Sequence, residues 1–205
     1  MRRGASSRFV RVPVLLLLMS SPAFSQTFGL KFAYPTSDAL QVTAPDPNVT
    51  YSIHSLAPKF GFTGELNLPA GLLLELDALY SHWSYSSSSL PGSTTTINSW
   101  DVPVLVKKSF LERAIRPYIN AGAVLRAVNE DTYIGPIKVK TPEFIHQTTV
   151  GYAAGVGLDF KFGKFHVMPE FRYTHFQRDN FRSSTGSFHS NVNQPMFLLG
   201  LQRGR

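Results

Sequence analysis

The sequence contains no cysteine, which removes disulfide frameworks, thiolate metal sites and cysteine nucleophiles together and leaves the redox compartment open. It is also poor in charge. Only 16% of its 205 residues are Asp, Glu, Lys or Arg, against 43% apolar, a balance that suits a folded chain better than a disordered one. The formal charge of +7 is concentrated at the start, where Arg2, Arg3, Arg8 and Arg11 lie. Setting these four aside leaves about +3, with no Lys/Arg block and no nucleic-acid motif, so no nucleic-acid partner is expected. Beyond the leading segment no stretch approaches the ~20 uninterrupted apolar residues of a membrane-crossing helix. A mature chain that spans a membrane must therefore do so with strands.

Residues 1–25 open with an arginine-bearing stretch, continue through Val12-Pro13-Val14-Leu15-Leu16-Leu17-Leu18-Met19 and close on Ser20-Ser21-Pro22-Ala23-Phe24-Ser25. This is the charged, apolar and small-residue order of a secretory signal, with cleavage expected near Ser25-Gln26. Residues 26–205, a comfortable length for one domain, then form the mature protein.

In the mature part, polarity alternates with a period of two. From Leu56 to Leu68 the apolar Leu56, Pro58, Phe60, Phe62, Leu66 and Leu68 separate from Lys59, Gly61, Thr63, Glu65 and Asn67. From Thr149 to Phe162 the apolar Val150, Tyr152, Ala154, Val156, Leu158, Phe160 and Phe162 alternate with Thr149, Gly151, Ala153, Gly155, Gly157, Asp159 and Lys161. Such alternation marks strands with two unlike faces. Weaker versions at 27–34, 72–85, 98–108, 116–128, 165–177 and 194–202 bring the number to about eight. The polar parity mixes Gly and Ala with isolated charges, which suits a narrow interior where small residues leave room for charged side chains. The parity rich in Phe, Tyr, Leu and Val then faces lipid.

The connections at 36–55, 69–71, 86–97, 109–115, 129–148, 163–164 and 178–193 are alternately long and short. Short periplasmic turns and longer outer loops give this order in an up-and-down transmembrane barrel, whereas a Greek-key sandwich has no reason to. The fold expected is all-β: an eight-stranded antiparallel up-and-down transmembrane β-barrel. Ser86 to Thr96 reads as a solvated loop. Asn48-Val49-Thr50 has glycosylation spacing, read as a chance occurrence. Pro58, Pro103 and Pro169 fall inside the expected strands and are assigned to bulges or strand ends.

Trp100-Asp101-Val102-Pro103-Val104-Leu105-Val106-Lys107, followed by Arg116-Pro117-Tyr118-Ile119-Asn120-Ala121-Gly122-Ala123, resembles the central strand pair of the small outer-membrane β-barrel domain family, related in architecture to OmpA- and OmpX-type barrels. Glu170-Phe171-Arg172-Tyr173 and Leu198-Leu199-Gly200-Leu201 are similar to its last two strands. The resemblance implies a bacterial outer-membrane location, with outer-membrane lipid and the barrel assembly machinery as partners, and a monomer.

Arg172-Tyr173-Thr174-His175-Phe176-Gln177 resembles the Arg-Tyr-x-His-x-Ser stretch of the lipid A deacylase family, but Gln177 stands where the nucleophilic serine belongs, and an amide cannot replace it. His82-Trp83-Ser84 restores the spacing without a carboxylate on its face, since Glu75 and Asp77 have the opposite parity. Tyr80, His82, Trp83 and Tyr85 read instead as an interfacial aromatic girdle. His146, His166, His175 and His189 lack ligand spacing on any one element. No catalytic, cofactor or metal site is assigned, and the chain is read as a non-enzyme.

The constellation that remains is charged. Lys31, Lys59, Lys107, Arg116, Arg126, Lys161 and Arg172 share the inward parity with Glu65, Glu75, Asp77, Asp101, Asp159 and Glu170. A barrel of eight strands is just wide enough for side chains to fill, so these are expected to pair as a plug that sets packing and register. The function read from this is an outer-membrane barrel with a structural or surface-interaction role. A lipid A-modifying hydrolase and a narrow porin stand as alternatives.

Overall fold

The structure is a computed structural model that describes residues 26–42, 51–54, 56, 58–87, 93–111, 113–134, 136–139, 147–180 and 188–204. The expected signal segment 1–25, Asn48-Val49-Thr50 and His146 lie outside the described residues. The strands are β1 (Gln26–Pro35), β2 (Leu40–Val42), β3 (Tyr51–His54), β4 (Lys59–Leu68), β5 (Leu72–Ser87), β6 (Ser93–Ser109), β7 (Ile115–Ile134), β8 (Ile137–Val139), β9 (Thr148–Phe162), β10 (Phe165–Phe176), β11 (Phe188–Ser190) and β12 (Asn193–Arg203).

Eight of these close a ring. β1 pairs with β12 on one side and β4 on the other, and antiparallel pairs β4–β5, β5–β6, β6–β7, β7–β9, β9–β10 and β10–β12 complete the circuit. Within the ring each of the eight strands is paired on both sides, so closure leaves none of them an open edge. The turns at one end are short. Gly163 takes a left-handed φ of 62° in the tight link from β9 to β10, a conformation without cost only for glycine. Pro69–Gly71 forms a single 3-10 turn between β4 and β5, and Lys108 Nζ donates to its Ala70 carbonyl at 2.9 Å.

The opposite end is more ordered than the composition suggests. β6 starts at Ser93, within the stretch read as a loop, and Thr95 and Ile97 are buried. The cause lies in its partner: β7 runs 20 residues and offers a backbone ladder from Ser93↔Ile134 onward, and β-branched threonines suit a strand once pairing is available. β2 and β11, from the first and last long connections, pair separately in register Leu40↔Ser190. Asn191 fastens this pair, its backbone N–H donating to the Ala39 carbonyl (2.8 Å) and its Nδ2 to the Asp38 carbonyl (3.1 Å).

The prolines are accommodated more simply than by bulges. Pro58 precedes β4. Pro103 and Pro169 lie within β6 and β10, where the register is the same on either side: Leu76↔Val104 and Leu79↔Asp101 for the first, Val167↔Phe160 and Glu170↔Gly157 for the second. The ladder is interrupted on one side only, where the N–H is missing, and continues unbroken towards β7 and β12.

The two parities separate as read. Phe28, Leu30, Phe32 and Tyr34 of β1 point outward and are 45–57% exposed, while Lys31 between them is 2% exposed. An apolar exterior round a polar, filled interior inverts a soluble protein and matches a wall that meets hydrocarbon.

Candidate functional site: the filled lumen

The inward charges assemble in three groups along the barrel. In the middle group Arg172 is the hub, donating through Nε to Glu170 (2.6 Å), through one terminal nitrogen to Asp77 (2.8 Å) and through the other to Glu75 (2.7 Å). β10 and β5 are not neighbours in the ring, so this one guanidinium ties opposite walls together. Its planar fork makes three charge-assisted bonds that a single ammonium could not arrange so. Lys31 Nζ donates to Glu75 (2.6 Å) and Asp77 (3.1 Å) and lies 3.8 Å from Glu170. Lys107 donates to Glu65 at 2.7 Å and sits 3.8 Å above the Tyr118 ring. Tyr118 and Asn120 each donate to Glu170 at 3.0 Å.

Towards the long connections, Arg126 grips Asp101 with two bonds of 2.7 and 2.8 Å, and Lys59 donates to the same carboxylate at 2.5 Å. Gln194 Oε1 accepts from both cations, at 3.2 Å from Lys59 and 2.7 Å from Arg126. Leu105, Val124, Ala153 and Phe176 pack as a buried apolar cluster, with the Arg126 guanidinium 3.7 Å over the Phe176 ring. Two small spaces of about 30 Å³ each lie by Ser99, Arg126 and Gln194, the first of them also by Lys59, room for roughly one water apiece. Near the short turns, Arg116 pairs with Asp159, and His166 Nδ1 lies 2.9 Å from the same carboxylate.

Twelve of the thirteen residues singled out by parity lie in these groups, Arg116 with a partly exposed side chain. Lys161 does not. It has the inward parity but is exposed, because it stands one residue from the end of β9, past the point where facing walls enclose a side chain. Among the described residues the enclosed charges then balance at six of each sign, the condition under which burial of so many ions is tolerable.

Tyr118, Asn120, Gln194 and Gln202 complete the network and were not singled out. Their signal was parity alone: Tyr118 and Asn120 lie two and four residues beyond Arg116, but as an aromatic and an amide they carry no formal charge. The glycines on that parity have the role foreseen for them. A Cβ on Gly155 would stand 2.5 Å from Asn120 Oδ1 and 2.7 Å from Glu170 Oε1, and one on Gly157 would stand 2.4 Å from the Tyr118 ring.

The residues weighed for hydrolysis are separated by the wall. His82 is exposed on the outer face, whereas Glu75 and Asp77 are buried in the lumen. His175 Nδ1 lies 2.7 Å from Asn193 Oδ1. Trp83, grouped with the outer girdle from sequence, faces inward and lines both small spaces. It is adjacent to His82 on a strand and must take the other face. Trp100, 44% exposed and 5.2 Å from the Tyr80 ring, stands in the outer aromatic row instead.

No family model matches the sequence, and no curated protein matches it. The structure does have counterparts. The outer membrane protein OprG of Pseudomonas aeruginosa superposes with a TM-score of 0.61 at 13% identity, covering 89% of this chain and 96% of that one. Neisserial surface protein A superposes with a TM-score of 0.51 at 14% identity, covering 88% and 97%. The closed ring, the outward apolar belt and these likenesses together give the chain the fold of the small eight-stranded outer-membrane β-barrels.

Proposed function

We propose that this chain is a bacterial outer-membrane barrel whose lumen is shut by its own charge network, serving the envelope as a structural or surface-interacting protein without enzymatic activity. The observation that carries the reading is Arg172, 1% exposed in its side chain and bonded at once to Glu75, Asp77 and Glu170. A channel wall would leave such charges hydrated; here they are spent on one another. Lipid is the partner of the outward belt. The short turns belong in the periplasm, and the long connections with the β2–β11 pair face outward. The assembly machinery for barrels would insert the chain as a monomer. Bilayer conductance tests the reading: the purified protein is expected to give no sustained current. Steady current that survives Arg172→Ala with unchanged stability overturns it in favour of a narrow porin. A change in lipid A mass on expressing the gene overturns it in favour of a hydrolase.

A further inference from the structure

Two strands on opposite sides of the ring carry the same short pattern. Asp77-Ala78-Leu79-Tyr80-Ser81-His82 of β5 and Glu170-Phe171-Arg172-Tyr173-Thr174-His175 of β10 both read acidic, two residues, Tyr, hydroxyl, His. β5 and β10 are four places apart in a ring of eight and run in the same direction. In each case the next strand places an asparagine directly opposite the histidine, His82↔Asn98 and His175↔Asn193.

The side chains repeat the same geometry. The Tyr80 hydroxyl donates to Asn98 Oδ1 at 2.6 Å and His82 Nδ1 lies 2.9 Å from that oxygen. The Tyr173 hydroxyl donates to Asn193 Oδ1 at 2.6 Å and His175 Nδ1 lies 2.7 Å from it. An amide oxygen only accepts, so each Nδ1 carries the hydrogen. That leaves the histidine Nε2 and the asparagine NH₂ as the polar groups each cluster can offer a ligand. Both clusters lie on the outward face, towards the long connections.

Each cluster stands above an apolar groove in the outer wall. The first groove, about 550 Å³, is lined by Leu30, Phe32, Phe60, Phe62, Trp100 and by Tyr80 of the cluster itself. The second, about 740 Å³, is lined by Phe171 and Phe197 rather than by the cluster itself, these lying two residues below Tyr173 and four below Asn193 on the same faces, and it adjoins the first groove at Phe32 and Leu199. A polar clamp over an apolar slot, at the rim of a hydrophobic belt, is the outline of a lipid.

We propose that the barrel has two lipid-binding sites, their polar clamps on opposite walls, each holding the phosphate-bearing headgroup of an outer-leaflet glycolipid in the Tyr-x-His and Asn clamp, with an acyl chain in the groove that begins below it. The asparagine NH₂ donates to a phosphate oxygen. The histidine Nε2, left an acceptor by the Nδ1–H tautomer, takes a hydrogen bond from a hydroxyl or amide N–H of the headgroup sugar. The tyrosine fixes the amide so that its NH₂ faces the lipid.

The proposal rests on the outer-membrane reading, and native mass spectrometry of the full chain in detergent separates the two. The probe is bisphosphorylated lipid A, with its dephosphorylated form as control. Wild type is expected to retain two lipids, Asn98→Ala or Asn193→Ala one, and the double variant none, with the folded, heat-modifiable form unchanged. Removing the phosphates should weaken retention about tenfold, as loss of a bond to a charged group does. Equal retention by the double variant, or of the dephosphorylated lipid, overturns the proposal, as does saturation of both sites by inorganic phosphate. Should the double variant not fold, His82→Phe with His175→Phe, which keeps the ring shape and the asparagine amides but removes the Nε2 acceptor, must still lower retention. A chain that stays monomeric without detergent undoes the membrane reading itself.

Discussion

At the scale of single residues, Arg172 and Lys161 show what parity can and cannot decide. Both have the inward parity, yet Arg172 holds three carboxylates while Lys161 extends into solvent. Arg172→Ala would strand Glu75, Asp77 and Glu170 in a space closed to water, and removing one partner of a buried ionic group commonly costs about 3–5 kcal/mol. Urea unfolding of the barrel in liposomes should show that loss. Lys161→Ala should leave the unfolding midpoint where it was, and a midpoint shift as large as that of Arg172→Ala would place Lys161 within the network after all. Arg172→Lys should fall between, because an ammonium keeps the charge but cannot reproduce the fork that reaches two walls.

At the scale of the element, β9 states the design of the wall in alternate residues. Val156 faces outward and is 57% exposed, while Gly155 and Gly157 face in beneath Glu170 and Tyr118. Val156→Arg puts a charge into hydrocarbon and should cost about 2–4 kcal/mol near mid-membrane. Gly155→Val should also destabilise, by a different route, since its Cβ meets Asn120 and Glu170 at less than 3 Å. Reversible unfolding of both variants in one liposome composition checks the pair. If Val156→Arg alone were neutral, the outward face of β9 would not be meeting lipid. The same alternation puts Trp83 in the lumen and His82 outside, so the aromatic residues clustered here in sequence do not form one outer girdle: neighbours on a strand cannot share a face.

At the scale of the molecule, closure makes the parts interdependent. β1 and β12 meet over eight residue pairs from Phe28↔Arg203 to Pro35↔Met196, so the first and last strands of the domain complete the ring, and the network spans it from within. Such a barrel should resist SDS until boiled. The unheated protein should therefore migrate apart from the heated one on a gel, and Arg172→Ala should make the shift at a lower temperature. A single band at all temperatures would be inconsistent with a closed barrel.

Strand periodicity, the division into a lipid face and a lumen face, the alternation of short and long connections, and twelve of the thirteen charges assigned to the lumen were legible in the sequence alone, because all of these follow from a side-chain period of two and from local composition. The sequence did not determine which charges meet. Arg172 and Glu75 are 97 positions apart and belong to strands that share no ladder, so their contact exists only once the ring is closed. The loss of Lys161 from the network, the extension of β6 and β7 beyond the wall, the pairing of β2 with β11, and the register-preserving accommodation of Pro103 and Pro169 were likewise decided by tertiary structure. Each depends on where a facing strand begins and ends, and no residue carries that information about a partner so distant in the chain.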